Sequence, residues 1–214
     1  MSPDADVVEQ SFTEGPLAVE GPNEQTVAFF RASGCCVYGE LGVYLGGTAQ
    51  EIAAHLGGEG EIHLFDYEDR VLPVAERLRA LGHANVVVHP NTRKVLDSYN
   101  WSLMKLLRDG AAGSFDYVFV DGAHTWALDA LAFLLVDRLL APGGYVDFDD
   151  YFWTLARSPS MRPEAFPPTS RLYTPEQIEQ PQVSLVIDVL VRGDARYEEV
   201  VEHKIFRKRA GAAA

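Results

Sequence analysis

The stretch Val118-Phe119-Val120-Asp121-Gly122-Ala123-His124 ends an apolar run on a carboxylate and sets an imidazole three residues later. Twenty-eight residues beyond Asp121, Asp149 and Asp150 end another apolar run. Carboxylates at the tips of neighbouring strands repel one another unless they are protonated, solvated or neutralised by a cation. Hard oxygen ligands from two loops suit Mg²⁺ or another divalent cation, which keeps its remaining octahedral positions for water or substrate oxygens. A hydroxyl bound to such an ion is acidified and fixed in place, and an imidazole is the right kind of group to take the released proton. The residues that could do this chemistry are Asp121, Asp149 and Asp150 as metal ligands, with His124, beside Asp121, as the catalytic base.

A second group lies upstream. Glu40 precedes a glycine-studded turn in which Gly42, Gly46 and Gly47 let a ligand come close to the backbone, and a helix starting near Thr48 would aim free N–H groups into that turn. Twenty-six residues after Glu40, Asp66 ends the next apolar run, a place from which a carboxylate can hold two ribose hydroxyls. Together these features point to an adenosine cofactor. The nicotinamide pattern GxGxxG is broken by Tyr44 at its second glycine. Glu40 would be awkward beside a pyrophosphate and welcome beside a sulfonium, which points to S-adenosylmethionine.

The segment Glu-Leu-Gly-Val-Tyr-Leu-Gly-Gly-Thr (40–48) resembles the first motif of class I S-adenosylmethionine-dependent methyltransferases, in the form found in the metal-dependent catechol O-methyltransferase group. The similarity spans residues 36–150. It implies that Glu40, Gly42, Tyr44 and Thr48 line the methionine part of the cofactor around the turn at Gly46, and that Asp66 meets the ribose. In both the catechol type and the antibiotic-tailoring type that modifies macrolide sugars, one aspartate after strand four and two acidic or amide residues after strand five hold the ion. The base, three residues beyond the first aspartate, is a lysine in the catechol type and a histidine in the sugar type. With His124 there, this chain resembles the tailoring enzymes more closely, although it is shorter than they are at the N-terminus. The activity implied is magnesium-assisted methyl transfer to a hydroxyl of a small polar natural product, a sugar or a phenol. Two alternatives stay open: a metal-independent N- or O-methyltransferase in which His124 and the acids orient the acceptor directly, and a cofactor-binding module without turnover.

These residues need strands and helices to position them. Runs rich in β-branched and aromatic residues at 36–42, 61–66, 85–90, 115–121 and 143–150 read as strands. Helical spacing covers 48–56, 70–81 with Pro73 near its first turn, and 126–140, which Gly143 and Gly144 are expected to stop. The alternation predicts an α/β fold: a doubly wound, mostly parallel, Rossmann-like sheet with helices on both faces, its ligands beyond the carboxyl ends of the strands. We expect one domain over 1–214, with an N-terminal helical segment (1–35), a cofactor-binding core (36–150), a variable lid or substrate segment (151–181), and a closing helix and strands (182–214). Residues 151–177, rich in proline and aromatics, read as an irregular pocket wall. Residues 182–191 read as a helix and 197–209 as one or two strands.

Bulk composition narrows the partners. A net charge of −13 disfavours nucleic acid and leaves a small-molecule acceptor, with a homo-oligomer neither required nor excluded. Cys35 and Cys36 are adjacent and poorly placed for a disulfide, which suits a cytoplasmic setting, and no stretch reads as a membrane span. Tyr99 and Trp101 could stack on adenine or belong to the core. Arg157, Arg162 and Arg171 could meet an anionic acceptor or offset surface acidity, and Asp147 reads as a structural hydrogen-bonding group without an identifiable partner.

Overall fold

A computed structural model of the chain describes residues 21–211. The expected runs form Val37–Leu41 (β1), Glu61–Tyr67 (β2), Val86–Asn91 (β3), Phe115–Val120 (β4) and Leu140–Phe148 (β5), and the C-terminal part supplies Tyr197–Val201 (β6) and Ile205–Lys208 (β7). The sheet order is β3-β2-β1-β4-β5-β7-β6. Pairs among β1 to β5 are parallel, whereas β7 runs antiparallel to both β5 and β6. Strand order reverses between β1 and β4, so the crevice for a ligand opens at their carboxyl tips.

Five helices flank the sheet: Glu24–Ser33 (α1), Gly47–Leu56 (α2), Glu68–Ala80 (α3), Tyr99–Arg108 (α4) and Trp126–Leu139 (α5). Asn23 caps α1 by accepting a hydrogen bond from Thr26 N at 3.1 Å, and Gly34 ends it in the left-handed conformation at φ 74°. Of the N-terminal segment 1–35 expected to be helical, Glu24–Ser33 forms α1, and residues 1–20 lie outside the described residues. Two expectations need correction. Pro73 is the sixth residue of α3, in its second turn, because the helix starts two residues early at Glu68. Gly143 and Gly144 do not stop α5: the helix ends at Leu139 and β5 begins at once, with the glycines inside its irregular first half, where a Cβ on Gly144 would press on backbone carbonyls of β4.

Alternation along the strands divides the core into two layers. One face packs Phe65, Phe115, Phe148 and Phe206 under α4 and α5; the other packs Tyr38, Leu64, Tyr117 and Phe119 under α1, α2 and α3. On the second face Asp147 is fully buried, accepting from Tyr117 OH at 2.6 Å and Thr26 Oγ1 at 2.7 Å, with Lys204 Nζ at 3.0 Å. These are the partners the sequence did not name, and they make Asp147 a structural group binding α1, β4 and β7 together.

The segment after β5 is more ordered than an irregular loop. It holds a 3₁₀ turn (Leu155–Arg157) and short helices at Thr169–Leu172 and Pro175–Glu179, the latter started by a capping box of Thr174 and Gln177. The helix expected at 182–191 is present, α-helical over Gln182–Val186 and π-helical over Ile187–Val191.

Phe30, fully buried on α1 with its ring edge-on to Tyr38 and Tyr117 at 5.2 and 5.4 Å, is the main anchor of that helix. Phe30→Ala is expected to cost about 3–5 kcal/mol in denaturant unfolding; a cost below about 1 kcal/mol would mean α1 is not part of the cooperative core.

Candidate active site

Backbone hydrogen bonds stitch the strand tips into one rim. Gly42 N donates to Phe65 O at 2.9 Å, Asp121 N to Leu41 O at 2.8 Å, and Asp149 N to Val120 O at 3.1 Å. The tips of β2, β1, β4 and β5 therefore lie side by side. Gly42 sits at φ +89°, and a Cβ there would fall 2.0 Å from the carbonyl oxygen of Asp121. Only glycine lets the β1 turn and the β4 loop touch.

Four of the residues expected at the cofactor shape this turn themselves. Asp66 Oδ2 accepts from Val43 N and Tyr44 N, both at 2.8 Å, and Oδ1 from Tyr67 N at 2.6 Å, so its carboxylate holds the turn in place from the tip of β2. Tyr44 takes φ 48°, a conformation these bonds stabilise. Gly46 is the left-handed N-cap of α2, where a Cβ would come within 2.5 Å of Val74. Thr48 is buried and its Oγ1 accepts from Asn23 N at 2.9 Å, tying the start of α1 to the start of α2.

Glu40 is 2 % exposed and accepts from Tyr38 OH at 3.0 Å. Burial pushes its carboxyl well above the usual range; the Tyr38 hydroxyl opposes the shift, and Asp121 and Asp66 add to it. A cation placed beside Glu40 would favour its ionised form.

Across the rim, His124 lies between two carboxylates, with Nε2 3.2 Å from Asp121 Oδ1 and Nδ1 3.3 Å from Asp150 Oδ2. Burial alone would lower the imidazole, but Asp121 and Asp150 outweigh it and hold His124 up at about 9. Asp121 is raised to about 6 by burial and by the charges of Asp149 and Asp150, against the pull of His124. Both His124 (φ 54°) and Asp150 (φ 59°) are left-handed, so three of the four non-glycine residues with positive φ among those described, counting Tyr44, stand at this rim. Strain of this kind persists only where its surroundings enforce it. The indole of Trp153 meets the His124 ring edge-on at 5.3 Å.

The donor set suits a hard divalent cation: three carboxylates share one rim, and the His124 imidazolium stands in as the positive charge between two of them. Their side chains are not drawn in around one point. Among the described residues no group of three or more His, Cys, Asp or Glu side chains is gathered closely enough to hold a metal. The reason is pairing within the protein, since His124 takes Asp121 and Asp150 while Lys204 Nζ stands 3.5 Å from Asp149 Oδ1. Lys204 was missed by sequence reasoning. Its only local signal is a lysine at the start of an apolar strand.

The remaining candidates separate cleanly. Tyr99 belongs to the core, 7 % exposed, its hydroxyl bonded to Asp129 and accepting from Ala123 N at 3.3 Å, where it braces the loop carrying His124. Trp101 is 62 % exposed. Arg157, Arg162 and Arg171 all lie on the exposed side of the segment after β5. Both cysteines are free, and no helix among the described residues is long and apolar enough to cross a membrane.

Solved structures share this architecture. The O-methyltransferase TomG of Streptomyces achromogenes, involved in tomaymycin synthesis and solved with SAM, superposes with a TM-score of 0.57 at 18 % identity, over 97 % of this chain and 88 % of that one. The SAH-bound methyltransferase PaMTH1 of Podospora anserina gives 0.61 at 20 % identity, over 98 % and 88 %. An O-methyltransferase from Bacillus cereus in complex with SAH gives 0.57 at 16 %, over 91 % and 80 %. At these identities the likeness carries the fold. No curated protein matches the chain. Residues 40–151, just over half of the chain and the part that contains every strand tip of the rim, match the methyltransferase domain family, and the chain belongs to that family.

Proposed function

We propose that the protein is an S-adenosylmethionine-dependent O-methyltransferase acting on a hydroxyl of a small polar molecule, a sugar or a phenol, with a divalent cation, Mg²⁺, at its acidic rim. The observation that carries this reading is the contact of Gly42 with the backbone of Asp121, which puts a cofactor turn and a catalytic rim in one crevice. Cofactor-bound neighbours of the same fold support the choice of cofactor.

Each residue has a definite task in this reading. Gly42 and the turn at Tyr44 and Gly46 admit the methionine part of the cofactor, with Asp66 shaping the turn and standing nearest the ribose, and Thr48 fixing the start of α2. Buried Glu40 faces the positive sulfonium end, where its negative form is stabilised by the ligand and by Tyr38. The hydroxyl of the acceptor lies at the rim under Trp153, within reach of His124. Methyl transfer needs that oxygen to lose its proton as it attacks, and His124 is the group placed to receive it. Asp121 and Asp150 orient the imidazole through both ring nitrogens. Asp121, Asp149 and Asp150 would be the residues to hold a divalent ion, which would supply acidification of the acceptor hydroxyl.

Three outcomes test the reading. In thermal melts, SAM and SAH raise the melting temperature and NAD does not; stabilisation by NAD alone would overturn the cofactor assignment, and Gly42→Ala is expected to abolish the SAM shift. Turnover is lost on EDTA treatment and restored by Mg²⁺, whereas EDTA-insensitive turnover would remove the cation. His124→Gln lowers the rate about 10²–10⁴-fold with SAM affinity retained. Because His124 must be neutral to accept the proton, the acidic limb of the rate profile climbs with pH as its own proton leaves, and that limb disappears in the variant.

A further inference from the structure

Helix α5 is apolar around its whole circumference. Of its fourteen residues only Asp129, Asp137 and Arg138 are charged, and both acids are turned into the fold. Asp129 is bonded to Tyr99 OH and accepts from Thr125 N at 2.9 Å, while Asp137 accepts from Tyr197 OH at 2.8 Å and meets Arg196 at 3.0 Å. What remains for the outer face is Ala127, Leu131, Leu134 and Arg138, with Leu131 48 % and Leu134 53 % exposed. A helix bathed in solvent carries charge on that face, and one that is apolar on every side is a covered one. The two layers of helices differ in this respect. None of α1, α2 and α3 exposes a large apolar side chain along its length, whereas α5 does so together with Trp101 on α4 and Val189 in the helix over 182–191, the elements packed against it.

We propose that α5 is the two-fold interface of a homodimer, packed antiparallel against the α5 of a second copy. Charge and spacing select that occupant. The chain carries a net charge of −13, so two copies repel over most of their surfaces, and the outer face of α5 adds no acid to that repulsion. Its exposed positions are spaced four, three and four residues apart, a pattern that is the same read from either end. About the midpoint of Leu131 and Leu134, antiparallel pairing brings each Leu131 to the Leu134 of the other copy and each Ala127 to its Arg138. The half-buried Ala130 and Leu135 fall opposite one another by the same rule. A two-fold interface requires this self-complementarity. The Arg138 guanidinium also arrives at the end of the helix where Trp126 offers an indole face. A stable pair buries about 800 Å² from each partner, more than one helix stripe supplies, and Trp101 and Val189 widen the apolar face. The inference is independent of the methyl-transfer chemistry.

Sedimentation equilibrium of the full chain tests this. The protein is expected at twice the mass of one chain, and the dimer should tighten as NaCl rises, because salt screens the repulsion between two acidic copies and leaves an apolar contact intact. Leu131→Glu and Leu134→Glu change half-exposed positions, so each keeps the fold by circular dichroism. Each is expected to raise the dimer dissociation constant on the order of 100-fold or more, because it buries a charge without a partner. Leu131→Glu combined with Leu134→Lys sets opposite charges across the axis and should associate at least about tenfold more tightly than Leu131→Glu alone. Leu81→Glu, at an exposed leucine after α3 on the other side of the sheet, should leave the dimer unchanged. A monomeric full chain would leave the face to another segment or another protein and overturn the proposal. A dimer indifferent to both glutamates, dissociated by salt, or lost equally to Leu81→Glu would overturn it too, and failure of the paired charges to recover association would overturn the antiparallel register.

Discussion

The approach of Gly42 to the carbonyl of Asp121 is the constraint on which the rest of the site depends. A methyl group at that point would need space already filled by backbone, 2.0 Å away. The β1 turn and the β4 loop can therefore pack together only if position 42 has no side chain and accepts a positive φ. Everything with chemical potential is then carried to the same place: Glu40 two residues before the glycine, Asp66 through its grip on the turn, and Asp121 with His124 through the loop itself. The neighbouring tip of β5 follows because Asp149 N is bonded to Val120 O.

Bringing acids together has an electrostatic cost, and the structure meets it differently for each one. Two like charges about 4 Å apart repel by about 4 kcal/mol at the effective dielectric of a protein surface, whereas an exposed ion pair returns about 0.2–1 kcal/mol. Solvent-exposed pairing alone would not hold such a rim. Burial favours the neutral form of Glu40. Asp66 is compensated by three backbone N–H groups. Asp121 and Asp150 share the imidazolium of His124, and Asp149 shares the Lys204 ammonium with Asp147. The left-handed conformations of His124 and Asp150 are the strain accepted to aim those side chains at one another.

Much of this was legible in the sequence because it follows local rules. Period-two apolar runs gave the five parallel strands, and acids placed just after them, at 66, 121 and 149–150, mark strand ends in an α/β sheet. The glycines of the first turn were recognisable by spacing. What escaped was non-local. Nothing near Thr48 indicates that Asn23 will use its hydroxyl, nor does anything near Asp66 show that the turn will claim its oxygens, since both depend on how the elements meet in space. Lys204 is separated from Asp149 by 55 residues and reaches it only because β7 inserts between β5 and β6, a sheet order that periodicity does not encode. Pro73 and the glycines of β5 were misplaced for a related reason, as the helix and strand boundaries there are set by packing rather than by the residues that usually punctuate them.

The most direct measurement is a crystal structure of the protein with SAH. The account predicts the thioether sulfur in the crevice above Gly42, with Glu40 on one side and the Asp121–His124 pair on the other. Electron density for SAH in any other cleft, or a sulfur separated from His124 by the body of the sheet, would contradict it.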